Sequence, residues 1–164
     1  MMEGIKGCIM PGNSRILYLI QIILRGDIGE ICVLKTVLWG CVGLLGASSV
    51  FMDAGLSHGL GQQLTPDQLS SLKTAVYYQQ INSIVIAIGL ILASAKRSYL
   101  SLLPSLCFLL GTIAFSGGIY GKHLLALNTG MVTPAGGMVT ALGWILLTLL
   151  GISYKLNSNH STFR

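Results

Sequence analysis

Eight polar residues with chemical potential stand in stretches that are otherwise apolar: Asp53, Ser57 and His58 in DAGLSH, Tyr78, Gln79 and Asn82 in YYQQIN, Ser116 in FSGG, and Thr133 in VTP. An aspartate within a lipid-soluble segment can bind a cation or relay a proton. A histidine titrates near neutral pH, and a serine beside it would be the start of a nucleophile–base pair. Amides and hydroxyls more commonly hydrogen-bond one helix to the next. Spacing narrows these choices. Asp53 and His58 are five residues apart, about 140° around an α-helix, so they occupy different faces. Tyr78 and Asn82 stand at i and i+4 and share a face, with Gln79 beside them. Nothing in the chain orients Ser57 or Ser116 against His58, and HExxH, P-loop and dinucleotide fingerprints do not occur. No catalytic residue is assigned, and an enzyme is not expected. The four cysteines, Cys8, Cys32, Cys41 and Cys107, form no CxxC or metal-ligand spacing, so neither metal nor cofactor is expected.

The elements that carry these residues follow from composition. Hydrophobic residues make up 52% of the 164-residue chain and charged residues only 9%, far below the roughly 25% of soluble domains. Four stretches, 36–55, 76–95, 99–118 and 135–154, are apolar over the roughly 20 residues that a bilayer crossing requires. The reading is an all-α membrane protein, a four-transmembrane-helix bundle in a domain spanning 34–156. Residues 1–33 form a cytoplasmic N-terminal extension whose ILYLIQIIL stretch is too short to span and suits an interfacial helix; residues 157–164 form a tail. Lys6, Arg15, Arg25, Lys35, Lys96, Arg97, Lys155 and Arg164 fall on one side and Lys73 and Lys122 on the other. The positive-inside rule turns this bias into an N-in, C-in topology, and it accounts for the net charge of +5 without a nucleic-acid partner.

Local signals place the helix ends. TPDQ reads as a helix start, with Thr65 as N-cap, Pro66 at the first helical position and Gln68 closing a capping box. Thr133 and Pro134 repeat the cap and first-position pattern before the fourth span. Pro104 falls near the start of the third, where a kink is tolerated. Gly43 with Ala47, and Gly117 with Gly121, are small residues four apart and predict close approach of neighbouring helices. Counted at 1.5 Å per residue, Asp53 lies about 27 Å from Lys35, Asn82 about 21 Å from Lys96, and Ser116 about 29 Å from Arg97. The polar residues of all four helices therefore share one level, the outer third of the bundle.

The segments AGLSHGL, TAVYYQ, FSGGIY, VTPAGG and LGW occur in that order. Together they resemble the small bacterial inner-membrane proteins of the YgdD type and their short animal mitochondrial relatives, a domain-of-unknown-function family numbered four-two-three. The likeness covers about 38–154. It implies four transmembrane helices and an inner-membrane location, plasma or mitochondrial, and it brings no activity. The family pattern usually has a histidine where Asn82 stands and a small residue where Asp53 stands, so Asp53 is expected to compensate in the same polar layer. Three functions follow as expectations. The first is a non-enzymatic accessory subunit packing through glycine-rich faces, as a homo-oligomer or within a larger membrane complex. The second is a small homo-oligomeric transporter or channel, and the third a membrane enzyme acting on lipid or quinone through Asp53, His58 and Tyr78.

Overall fold

The computed structural model describes residues 28–94 and 98–161, with side chains up to residue 153. Four α-helices follow in order: α1 (Ile28–His58), α2 (Pro66–Ser94), α3 (Leu103–Leu124) and α4 (Val132–Ser161). A 3-10 turn, Leu60–Gln63, joins α1 to α2, and another, Tyr99–Leu102, leads into α3. Four segments are long and apolar enough to cross a membrane: Gly29–His58, Pro66–Ser94, Tyr99–Leu124, which joins the second 3-10 turn to α3, and Val132–Ser153. The expected all-α, four-span architecture is present, and each helix overruns its apolar stretch at one end or both.

The overruns have local causes. α1 begins at Ile28, not near residue 36, with Glu30 in its first turn where a carboxylate complements the helix dipole. Residues 28–33, the last of the expected extension, are helical and continuous with the first span, and Cys32 sits exposed on α1. The rest of the extension, with the interfacial-helix stretch, lies outside the described residues. At the other end α4 continues to Ser161, past the boundary set at 156. The capping box forms at α2: the Thr65 N–H donates to Gln68 Oε1 at 3.0 Å and the Gln68 N–H to Thr65 Oγ1 at 3.3 Å. Pro104 does not kink a span, because α3 starts at Leu103 and places it in the first turn, where no N–H is needed. Thr133 is not a cap: α4 already starts at Val132, whose N–H donates to Thr129 O at 2.8 Å.

Successive helices pack antiparallel, with α2 and α3 at the centre and α1 and α4 on their flanks. Half of the most apolar window of α2 is buried and 44% of that of α3, against 11% for α1 and 22% for α4. Leu38, Ile86, Leu90, Leu102 and Phe108 form the main core, and Leu56, Leu72 and Val76 a second one. At one end Lys35 Nζ donates to Ala93 O at 3.0 Å, answering a carbonyl left open in the last turn of α2. Lys73 and Lys122 line adjoining grooves that share Ser70 and Thr74, so they occupy one end together.

Close approach is concentrated between α3 and α4. A Cβ on Gly136 would strike the backbone of Ala114 (2.8 Å to its carbonyl carbon) and Phe115; one on Gly111 would meet the Thr140 N at 2.9 Å. Gly118 abuts Thr133 Oγ1 in the same way, at 2.6 Å. The small pairs singled out by spacing mostly lie elsewhere. Gly43 and Gly117 have open space where a Cβ would stand, and Ala47 is exposed, so among the described residues no helix seats on them. Gly121 meets Leu127 and Thr129 of the following loop at 3.4 Å. One residue is about 100° of rotation, which is why Gly118 enters the seam and its neighbour Gly117 does not.

Candidate functional site: a polar seam in the helix bundle

Gln79 points from α2 toward both flanking helices and is 5% exposed. Its Nε2 donates to Leu45 O at 2.9 Å and to Ser48 Oγ at 2.8 Å, both on α1. Its Oε1 accepts from the Tyr120 hydroxyl of α3 at 2.8 Å. One amide thus ties three helices, using donors and acceptor in opposite directions. One turn further along α2, Asn82 is 2% exposed and donates to Thr112 Oγ1 at 2.9 Å, while Thr112 donates to Phe108 O at 2.6 Å. Ser116 donates to Ala75 O at 2.9 Å. Toward the Lys35 end, Ser105 of α3 donates to Ile86 O of α2 at 3.3 Å. Among the described residues no buried side-chain nitrogen or oxygen is left without a partner. In a medium without competing water such bonds fix register between helices that lipid would otherwise solvate equally well.

The residues expected to share one layer therefore divide. Gln79, Asn82 and Ser116 belong to the interior seam. Asp53 and Ser57, one turn apart on α1, are exposed and line an open groove of about 730 Å³ with Lys73, Thr74, Tyr77 and Gln80 of α2. His58, the last residue of α1, is exposed and lines neither that groove nor the seam. Tyr78 faces outward at 42% exposure, its ring edge-on to Phe115 at 5.0 Å and to Tyr77 at 5.8 Å. Thr133 closes on Gly118 in the α3–α4 seam. Asp53, His58 and Tyr78 thus line no common groove among the described residues. Asp53 and Asn82 share neither a hydrogen bond nor a cavity wall, so the expected compensation has no contact to act through. Among the described residues no three His, Cys, Asp or Glu side chains gather as metal ligands.

Four members of the seam escaped the sequence reading, Ser105 among them. Ser48 is one small residue among several in GASS, Thr112 lies alone in LLGTIAF, and Tyr120 follows a glycine pair. Tyr120 stands one turn from Ser116 on α3, and that i, i+4 spacing was the available signal.

A profile for a protein family of unknown function, DUF423, matches residues 52–137. The chain belongs to that family. Its similarity to a UPF0382 membrane protein of Haemophilus influenzae is 31% identity over 107 residues, 65% of this chain and 86% of the relative. A UPF0382 membrane protein of Schizosaccharomyces pombe is 33% identical over 115 residues, 65% of this chain and 94% of the relative. The UPF0382 inner membrane protein YgdD of Escherichia coli is 32% identical over 101 residues, 60% of this chain and 76% of YgdD. No solved structure matches the chain. The DUF423 match begins at Met52 and ends at Gly137, so it takes in Gln79, Asn82, Thr112, Ser116 and Tyr120 but not Ser48. The resemblance read from the five short motifs is confirmed, and the chain is an integral membrane protein.

Proposed function

We propose that this DUF423 protein is a non-enzymatic accessory subunit of a membrane assembly, docking through the outward face of α1. One observation carries the reading. Gly40, Gly43 and Ala47 lie on the side of α1 turned away from α2; they are exposed, and neither glycine has an atom within 4 Å of where its Cβ would stand. Thr36 and Ala54, also exposed, extend the same face. Small residues in lipid allow another helix's backbone to approach closely, and such contact is the principal source of helix association there. The interior polar groups, by contrast, are engaged with one another, which favours a packing seam over a solute path. The charge bias of the loops supports N-in, C-in insertion, and the name of the YgdD relative supports an inner membrane.

The test is extraction in mild detergent, followed by mass measurement of the intact assembly and identification of any stoichiometric partner. The wild-type chain is expected as a homo-oligomer or in a complex. Gly43→Ile with Ala47→Ile is expected to release a monomer whose thermal midpoint is unchanged. A monomeric, partner-free wild type, or an assembly indifferent to those substitutions, refutes the reading.

A further inference from the structure

α1 and α3 both pack on α2 and scarcely touch each other, which leaves a cleft between them with α2 as its floor. It encloses about 290 Å³ and is lined by Leu45, Ser48 and Met52 of α1, Gln79 of α2, and Ile113 and Tyr120 among the residues of α3. Gly117 also lines it; the missing side chain keeps the mouth open, since nothing stands within 4 Å of its Cβ position. Ser48, Ile113 and Gly117 are exposed at the rim, and all three lie inside apolar spans, so the cleft opens sideways into lipid rather than to water. Its α1 lining residues stand about 100–180° around the helix from Gly43 and Ala47.

The polar atoms in the cleft define what it can hold. Five lining side chains carry hydrogen-bond donors, and all five are engaged within the protein. Ser48 donates to Leu44 O, both Gln79 amide hydrogens go to Leu45 O and Ser48 Oγ, Thr112 donates to Phe108 O, Ser116 to Ala75 O, and Tyr120 to Gln79 Oε1. Acceptor capacity remains: hydroxyl and amide oxygens each have two lone pairs, and one is occupied on Ser48 Oγ and on Gln79 Oε1. A guest with only carbonyl or ether oxygens would desolvate against acceptors with no donor to meet it. A charged ammonium would supply a donor but is costly at this depth. The walls are apolar, and the volume is room for about ten water-sized groups, which fits one chain rather than two.

We infer that the α1–α3 cleft binds the hydroxyl end of a neutral, single-chain lipid-phase amphiphile, the hydroxyl donating to the free lone pairs of Ser48, Gln79 or Tyr120. The inference goes beyond the docking role and is independent of what covers the outward face of α1. Oleyl alcohol and its methyl ether are the probes, with binding measured on the full-length chain in detergent micelles. The alcohol is expected to bind, the ether about tenfold more weakly because one hydrogen bond is missing, and Gly117→Leu to abolish binding while leaving the ligand-free thermal midpoint unchanged. Ser48→Ala, which leaves the cleft open but removes an acceptor, is expected to narrow the preference for the alcohol over the ether. Equal affinity for alcohol and ether, absence of binding to either, or full binding by Gly117→Leu overturns the inference. A failed assembly test would leave these readouts untouched.

Discussion

Gln79→Leu removes a side chain bonded to both α1 and α3, and its effect can be worked out bond by bond. The substitution nearly conserves volume, so the cavity contribution is small. Three hydrogen bonds are lost, to Leu45 O, Ser48 Oγ and from Tyr120. Interhelical hydrogen bonds in membrane proteins average about 0.6 kcal/mol in double-mutant cycles, so destabilisation of about 2 kcal/mol is expected. The loss is distributed unevenly. Ser48 keeps its own donor engaged on Leu44 O, whereas the Tyr120 hydroxyl loses the acceptor it used. Tyr120→Phe should therefore cost less in a Gln79→Leu background than in the wild type, by about 0.6 kcal/mol and at most about 1.7. The assay is reversible unfolding in mixed micelles, titrating a denaturing detergent against wild type, both single variants and the double. Strict additivity of the two substitutions, or a Gln79→Leu protein more stable than wild type, refutes the picture of Gln79 as a three-helix tie.

Gly136→Ala should be among the most damaging single changes, about 1–3 kcal/mol or more from overpacking against the Ala114–Phe115 backbone. Gly117→Ala, with open space at its Cβ, should stay within about 0.5 kcal/mol of wild type in the same titration. Asp53→Asn and Asn82→His are expected to change stability additively, because the exposed groove and the interior seam share no partner; coupling in a double-mutant cycle would restore a link between them. Asn82→Ala empties a fully buried position and strips Thr112 of a donor, so a loss of about 2–3 kcal/mol is expected in the midpoint of unfolding.

Helix number was legible because it depends on one-dimensional information: the length of each apolar stretch against the rise per residue. The capping box at Thr65 and Gln68 was equally legible, since its partners are three residues apart. Which face a residue takes was not. Gly117 and Gly118 both satisfy small-residue spacings, and only the packing of α4, with Thr133 set against Gly118, decides between them. Asp53 and Asn82 lie at similar counted depth, but they are directed into different surroundings. Depth is a count along one helix; company is set by rotation about its axis, and a hydrophobic stretch that is apolar on every side gives no moment from which to read it.

That limit also explains why the most connected residue was noticed for its neighbours rather than for itself. Gln79 follows two tyrosines, and a reading from residue type gave weight to charge and to titration, hence to Asp53 and His58. In lipid the weighting changes. A charge at the rim reaches water and needs no partner, whereas a neutral amide beneath the surface must find its partners inside the protein. Gln79 therefore constrains the positions of α1 and α3 far more than Asp53 does. The same engagement leaves the cleft beside Gln79 rich in acceptors and without a free donor, so the bonds that hold α1 and α3 to α2 also set the chemistry of whatever enters between them.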